Sequence, residues 1–182
     1  MTFASANPNK FREVRSILSS LGISVEFAQQ SLVEIQSDSP EEIVKEKARN
    51  AYAQLRRPVI VEDDGLFIDS LNGFPGQYSS FTFKTIGNSG ILRLLAGSAD
   101  RSASFRSLIA LSDGENISIF EGDVHGSISE TITDGGWGYD PIFIPTGARQ
   151  TFGQLGEQKN KYSHRRMALE KFAQGTKGSG YA

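Results

Sequence analysis

Cysteine is absent from this sequence. Its absence excludes disulfides, thiolate zinc sites and a cysteine nucleophile, but it does not identify the cellular compartment. No apolar run approaches the roughly 20 residues needed to cross a bilayer. The N-terminus also lacks the basic start and apolar core that mark a signal peptide. We therefore expect a cytoplasmic protein that does not associate with membranes.

A strong excess of either charge is also missing. The formal net charge is −2, whereas nucleic-acid binding requires a clear excess of lysine and arginine. Hydrophobic residues make up 38% and charged residues 22% of the chain, as in ordinary globular proteins. Because neither an internal repeat nor a low-complexity linker interrupts the 182 residues, we expect one domain over 1–182, with a flexible tail over 175–182.

One acidic stretch follows a short apolar run near residue 60. Val59–Val61 are β-branched or apolar and predict a buried strand, and Glu62, Asp63 and Asp64 come next. We expect the strand to end there, with the three carboxylates in a crevice at its carboxyl edge. Crowded carboxylates repel one another, so a divalent cation with oxygen ligands is expected nearby. A solvated acidic turn is the alternative interpretation.

The first predicted helix begins after a polar loop. Its apolar positions predict a helix over Lys10–Leu21, and Gly22 is a natural stop. Ser5, Asn7 and Lys10 lie in or next to the loop before it. Backbone N–H groups at a helix N-terminus suit a phosphate, and a lysine adds positive charge. The alternative is that Asn7 is only a helix cap.

The second predicted helix has strong start signals. Ser39 is a suitable cap, Pro40 fits the first helical position, and Glu42 completes a capping box. Glu42 therefore has a complete structural explanation. Lys47 falls on the apolar face of this helix, where a cation needs an anion as partner unless its side chain reaches out to solvent.

A glycine-rich aromatic stretch occupies residues 135–141. Trp137 is the only tryptophan, and it lies between glycines that permit close approach by a flat ligand. Trp137 and Tyr139 are suited to stacking on a nucleobase, and Asp140 can accept hydrogen bonds from ring N–H groups. An aromatic corner packed on the following strand is an equally good interpretation.

Basic residues crowd the start of the last predicted helix. Ser163 is a plausible cap, and His164, Arg165 and Arg166 follow it. The helix dipole disfavours cations at this end. Their position indicates an anionic or carbonyl-bearing ligand.

Five motifs, in order, resemble those of the inosine triphosphate pyrophosphatase family. They are Ser5-x-Asn7-x-x-Lys10, Glu62-Asp63-x-Gly65-Leu66, Gly73-x-Pro75-Gly76, Gly136-Trp137-Gly138-Tyr139-Asp140-Pro141 and Ser163-His164-Arg165-x-x-Ala168. Together they cover residues 2–172. The resemblance implies an α/β fold with an elongated, two-lobed mixed sheet flanked by helices, an active-site cleft between the lobes, and a homodimer.

The resemblance also implies Mg²⁺-dependent hydrolysis of ITP, XTP and dITP to the monophosphate and pyrophosphate. It assigns the triphosphate to Ser5, Asn7, Lys10 and Lys47. It assigns Mg²⁺ and the activation of water to the acidic cluster of Glu42, Glu62 and Asp63. It assigns the purine base to Trp137, Tyr139, Asp140, Lys159, Ser163, His164 and Arg165. Because like charges surround Asp63, we expect this residue to polarise the attacking water.

The sequence departs from the family pattern at a few positions. Ala6 stands where a glycine is common, Asp64 stands where a small hydroxyl residue is more usual, and residues 79–81 lack a basic residue that many relatives have. Two other functions remain open: a sensing module that binds a nucleotide without hydrolysing it, and a phosphatase that releases orthophosphate. The crowded carboxylates argue against the first, because binding alone does not need them.

Overall fold

The computed structural model describes residues 1–178. The strands are β1 (Thr2–Ser5), β2 (Glu26–Gln29), β3 (Val59–Ile68), β4 (Pro75–Gly76), β5 (Ser102–Ser112), β6 (Ile117–Ile128) and β7 (Phe143–Pro145). The α-helices are α1 (Pro8–Ser20), α2 (Pro40–Leu55), α3 (Ser79–Thr85), α4 (Gly87–Leu94), α5 (Phe152–Leu155) and α6 (His164–Gly175). Short 3₁₀ turns cover Asp69–Leu71 and Gly156–Lys161.

The strands form one mixed sheet. Its order is β2-β1-β3-β5-β6-β7, and β4 pairs with β3 away from this path. β1 runs parallel to β2 and β3, with Thr2 opposite Glu26 on one side and Val59 on the other. The pairs β3–β4 and β6–β7 are antiparallel. The predicted α/β class with a mixed sheet flanked by helices is confirmed.

The chain divides into two compact units, each made of separate segments. Unit 1 comprises residues 1–63, 107–122 and 165–182, and unit 2 comprises residues 64–106 and 123–164. β3, β5 and β6 each contribute residues to both units. The single domain predicted from the sequence stays a prediction.

Unit 1 has an apolar cluster on each face of its strands. Phe3 and Ile60 pack with the apolar stripes of α1 and α6. Ala4 and Val61 pack with the inner face of α2. Successive side chains on a strand point to opposite faces, so β1 and β3 supply both clusters in turn. The same alternation decides where the acidic residues of β3 point.

Unit 2 is built around aromatic rings. Phe105 and Phe143 meet edge to face with ring centroids 4.9 Å apart, and Phe152 lies 5.1 Å from Phe143. Ile91 of α4 and Tyr139 belong to the same buried cluster. Edge-to-face and offset ring pairs add to the stabilisation that burial supplies.

Several predicted boundaries agree with the structure. α1 begins beside Asn7, which caps it, and Gly22 follows its end at a φ of 79°. The Asp113-Gly114 pair, which is typical of hairpin turns, lies between β5 and β6.

The prediction that a strand ends at Glu62 is wrong. β3 continues through all three acids to Ile68. Glu62 is buried there with charged partners, and Gly65 lets β4 approach closely. A Cβ atom on Gly65 would lie 2.6 Å from the carbonyl oxygen of Gly76, so only glycine fits that pairing.

The start of the predicted flexible tail belongs to the folded chain. Gly175 is the last residue of α6, and the hydroxyl of the buried Thr176 donates to the carbonyl of Phe172. Residues 179–182 of the predicted tail lie outside the described residues. Across residues 1–178, no helix is both long enough and apolar enough to span a membrane.

Candidate active site

A buried cluster of charges, here called the carboxylate cluster, lies in unit 1 and consists of Lys10, Glu13, Glu62 and Arg165. Nε of Arg165 donates to both carboxylate oxygens of Glu62, at 2.8 and 3.0 Å, and Nη1 donates to Glu13. Nζ of Lys10 lies 4.0 Å from Glu62. Two cations therefore balance two carboxylates, which a buried charge requires.

Glu62 also accepts a hydrogen bond from a serine. Oγ of Ser107 on β5 donates to Oε1 of Glu62 at 2.7 Å, and both side chains are buried. The Glu62 carboxylate is thus fixed from two directions. A buried carboxylate that keeps its charge needs this number of donors.

The loop before α1 is ordered by its own side chains. Oγ of Ser5 accepts from the backbone N–H of Asn7 at 3.0 Å. Oδ1 of Asn7 in turn accepts from the N–H groups of Asn9 and Lys10, at 2.9 and 3.4 Å. The cap interpretation of Asn7 is thus correct, and it leaves the Lys10 ammonium at a helix N-terminus where anions are favoured.

Lys47 is paired with acids and does not reach out to solvent. Its ammonium lies 2.5 Å from Oε1 of Glu34 and 3.6 Å from Oδ1 of Asp63. The lysine is buried on α2, whereas Glu34 is exposed. The expectation that this lysine reaches out to solvent is therefore wrong, because Glu34 and Asp63 supply anionic partners for it.

The three predicted metal ligands do not form a compact group. Within residues 1–178, no set of three or more histidine, cysteine, aspartate or glutamate side chains is arranged to hold a metal ion. Because Glu62 and Asp63 are neighbours on a strand, they point to opposite faces, one toward Arg165 and the other toward Lys47. Glu42 is exposed and accepts from Ser37, while its N–H donates to the Ser39 cap.

The carboxylate oxygens suit a hard cation such as Mg²⁺, but among the described residues the three predicted ligands are not gathered around one position. Both oxygens of Glu62 already accept from a guanidinium.

The aromatic stretch predicted from the sequence is a tight turn in unit 2. The backbone N–H of Trp137 donates to Oδ2 of Asp140 at 3.1 Å, and the N–H of Asp140 donates to the carbonyl of Trp137. Gly136 has a φ of 69°, and a Cβ atom there would lie 2.4 Å from the Asp140 side chain. Trp137 is partly exposed.

Lys159 neutralises the carboxylate of this turn. Its ammonium lies 2.5 Å from Oδ2 of Asp140, and both residues are buried. The same ammonium lies 5.2 Å from the centroid of the Trp137 ring, within cation–π range. Three residues predicted to bind the base are therefore in mutual contact.

Tyr139 anchors the turn to α3. Its hydroxyl donates to the carbonyl of Ser79 at 2.9 Å. Burial raises the pKa of the Tyr139 phenol above its usual value. The phenol consequently stays protonated and keeps donating at any ordinary pH.

His164 is buried in unit 2 against an aromatic ring. Its imidazole stacks on Phe105 with centroids 4.6 Å apart and planes inclined by 10°. Nε2 of His164 lies 3.9 Å from Oδ2 of Asp64, the residue that departs from the family pattern. Ser163, before it, is also buried.

The structure thus brings the predicted residues together in two sets. In unit 1 it pairs Lys10 with Glu62 and Lys47 with Asp63, and in unit 2 it joins Trp137, Asp140 and Lys159. Arg165, predicted to bind the base, has its described contacts with Glu62 and Glu13 of unit 1. The assignment of these residues to phosphate, metal and base stays a prediction.

Sequence reasoning missed Glu13, Glu34 and Ser107. Glu13 lies three residues after Lys10 and one before the buried Val14, so it adjoins the inner face of α1. Ser107 is a single polar residue directly before four buried apolar residues in β5. Both positions carried a recognisable signal, a polar residue at or beside an apolar face, whereas Glu34 lies in an irregular segment that offers none.

The fold and these two sets define the class of the protein. It is an α/β protein with a mixed sheet, in which lysines and carboxylates lie together in one unit and an aromatic turn with a buried lysine lies in the other. A family model confirms a specific assignment: the chain belongs to the Ham1 family, whose model matches residues 1–175. The resemblance inferred from the five motifs is thereby confirmed.

Named relatives and solved structures agree with this assignment. The chain is 47% identical over 171 residues to a dITP/XTP pyrophosphatase of Korarchaeum cryptofilum, covering 94% of this chain and 92% of that protein. It is 49% identical over 175 residues to a dITP/XTP pyrophosphatase of Methanopyrus kandleri, covering 94% and 93%. The solved structure of the Staphylococcus aureus Ham1 protein matches with a TM-score of 0.81 at 28% identity, covering 98% of this chain and all of that one.

Proposed function

We propose that this protein is a nucleoside triphosphate pyrophosphatase that hydrolyses XTP, dITP and ITP to the monophosphate and pyrophosphate. The names of the relatives that match over nearly the whole chain support this activity. By removing non-standard purine nucleotides, the enzyme would keep them out of the nucleotide pool. We further propose that it acts in the cytoplasm, where that pool is found.

The observation that carries the proposal is the pairing of lysines with acids in unit 1. Lys10 lies next to Glu62, and Lys47 next to Asp63. Hydrolysis of a phosphoanhydride depends mainly on neutralising phosphate charge and orienting a water molecule. Two lysines can hold a polyphosphate, and an adjacent carboxylate can accept a proton from water.

Asp63 is the proposed general base. A water oxygen forms a bond to the α-phosphorus, and one proton of the water passes to a carboxylate oxygen of Asp63. The bond between the α-phosphorus and the oxygen that bridges to the β-phosphorus breaks, so that pyrophosphate leaves with that oxygen. The choice of the α-phosphorus follows the resemblance and the names of the relatives. Asp63 suits this role better than Glu62, because Glu62 is buried and held by Arg165 and Ser107.

The proposed base site is the aromatic turn with Lys159 and His164. The partly exposed Trp137 ring suits stacking on a purine. The Lys159 ammonium, which pairs with Asp140, has further N–H groups that can donate to the 6-oxo group of hypoxanthine and xanthine. Adenine has an amino group at that position and would leave buried donors unpaired, which is an effective way to reject it.

Mg²⁺ and a homodimer complete the proposal. The resemblance implies Mg²⁺, and its requirement is tested by removing divalent cations with a chelator and restoring them.

The homodimer is supported by exposed apolar side chains around α3, of which Phe81 is the most exposed at 68%.

A substrate panel tests the proposed selectivity. Turnover of XTP, dITP, ITP, GTP and ATP is measured with Mg²⁺, with pyrophosphate and orthophosphate quantified separately. We expect pyrophosphate from the first three and at least about 100-fold lower kcat/KM for ATP, as expected when buried donors reject a substrate. Pyrophosphate from ATP at a similar rate would contradict the proposed base recognition. Binding without turnover would identify a sensor, and orthophosphate would identify a phosphatase.

A further inference from the structure

Asn88, in the first turn of α4, contacts the aromatic turn although it is 50 residues away in sequence. Its Nδ2 donates to the carbonyl oxygen of Gly138 at 3.0 Å. Gly138 lies between Trp137, whose ring is proposed to stack on the base, and the buried Tyr139. Because a carbonyl can only accept, the NH₂ end of the Asn88 amide must face it, which fixes the orientation of the amide.

The other end of this amide has no hydrogen bond. Oδ1 of Asn88 is buried and has no hydrogen-bond partner among the described residues. A buried acceptor without a donor costs free energy, which an apolar side chain of similar size would avoid. What the amide contributes here, and an apolar side chain would not, is its hydrogen bond to the Gly138 carbonyl.

The two glycines beside Trp137 have different surroundings. Gly138 has a φ of 60°, and a Cβ atom built on it would meet no atom within 4 Å. By contrast, a Cβ atom on Gly136 would clash with the Asp140 side chain. On the open side of the turn, Asn88 supplies a hydrogen-bond donor to the Gly138 carbonyl group.

We propose that Asn88 is a positioning residue for nucleobase binding. Through the Gly138 carbonyl it fixes the orientation of the Gly138–Tyr139 peptide, and so the path of the backbone next to Trp137 and the angle at which the Trp137 ring stacks on the base. The next residue, Tyr139, is held by the hydrogen bond from its hydroxyl to the Ser79 carbonyl. This inference rests on the proposed function, because it assigns the aromatic turn to the base.

Two variants remove the donor in different ways. Asn88→Leu removes it without adding charge, and Asn88→Asp replaces it with an acceptor that repels the Gly138 carbonyl. Ser89→Asp is the matched control, because it adds the same charge at the adjacent, exposed position of α4. We expect KM for XTP to rise about 3- to 10-fold in Asn88→Leu, the range for losing one hydrogen bond, and further in Asn88→Asp. We expect kcat to change less than about twofold, because the phosphate-binding residues are untouched.

Trp137 gives a second measurement that needs no substrate. As the only tryptophan, it reports the environment of the turn through its emission. We expect a shifted or broadened emission in both Asn88 variants and parental emission in Ser89→Asp, with the far-ultraviolet circular dichroism of all three unchanged.

The outcomes separate this inference from the proposed function. Parental KM and parental emission in both Asn88 variants would overturn the positioning role. Loss of folded structure in both would also overturn it, since the amide would then serve stability. If the parental protein releases no pyrophosphate from any purine triphosphate, the proposed function fails, whereas the emission spectra still test the hydrogen bond to Gly138.

Discussion

Arg165 is a fully buried residue whose charge is balanced by Glu62 and Glu13. Removing one partner of such a buried pair leaves an uncompensated charge and typically costs about 3–5 kcal/mol. Loss of activity after changing Glu62 or Arg165 would therefore combine instability with lost chemistry. Asp63 is a better residue on which to test the mechanism, because it is partly exposed and its partner Lys47 also contacts Glu34.

Asp63→Asn tests the proposed general base. The amide has nearly the same size but cannot accept the proton, so we expect kcat for XTP to fall by about 10²- to 10⁴-fold. Nucleotide should still bind, which equilibrium titration of the variant measures. Asp38→Asn, an exposed change in the same chain, should keep parental kcat. A near-parental rate for Asp63→Asn would remove Asp63 from the mechanism.

Tyr139→Phe tests the buried phenol. At pH 7 we expect the parent to be more stable by about 1 kcal/mol, because the Ser79 carbonyl loses its donor in the variant. Burial raises the pKa of the folded phenol above the value of 10.0 for a free one. The unfolded parent therefore releases this proton first as the pH rises, so the parent's advantage is complete below about pH 10 and declines above it.

Denaturant titrations between pH 8 and 11 measure this effect, with Tyr162→Phe as the control at a more exposed tyrosine. The difference in unfolding free energy between the parent and Tyr139→Phe should shrink as the pH rises through this range. A constant difference would show that the phenol has the same pKa in the folded and the unfolded protein.

β3 is the element where sequence and structure diverge most. Val59–Val61 correctly predicted a buried strand, but the acids after it were expected to end it. The strand continues because Arg165 and Ser107 compensate the buried Glu62 from distant parts of the chain. Local sequence does not show such partners. The alternation of β3 then sends Glu62 and Asp63 to opposite faces, which is why the predicted three-acid group does not form.

The helices were more predictable than the site. Asn7 caps α1 and Ser39 caps α2, because caps depend on residues within one turn. The lysines and the aromatic turn were also identified, since a cation on an apolar face and a lone tryptophan between glycines are local signals. The pairing of Arg165 with Glu13 depends on tertiary packing, which local sequence does not show. Arg165 was therefore predicted to bind the base.

Gly65→Ala tests the close approach of β4 to β3. The new Cβ atom would lie 2.6 Å from the backbone oxygen of Gly76, and backbone cannot move aside as a flexible side chain can. We expect a loss of about 1–3 kcal/mol of unfolding free energy, the usual range for overpacking. Ser102→Ala, at an exposed position of β5, should change stability by less than about 0.5 kcal/mol. Parental stability of Gly65→Ala would show that the two strands can separate at no cost.

Two chains are proposed to associate through the exposed apolar surface around α3. Phe81→Asp should convert the proposed homodimer to a monomer, because a buried charge at an interface is costly. Val33→Asp is the matched control, since Val33 is similarly exposed at 65% but lies outside this surface. Light scattering coupled to size exclusion should give twice the 19.9 kDa chain mass for the parent and the control, and the chain mass for Phe81→Asp. A parent of one chain mass at every concentration would contradict the homodimer.

This Ham1-family protein is proposed to cleave a purine nucleoside triphosphate between the α- and β-phosphates. Phosphorus NMR of XTP incubated with the parental protein and Mg²⁺ tests it directly, because every product gives its own resonances. We predict xanthosine monophosphate and pyrophosphate in equal amounts, without orthophosphate at early times. Xanthosine diphosphate with orthophosphate, or XTP that remains intact, would contradict the claim.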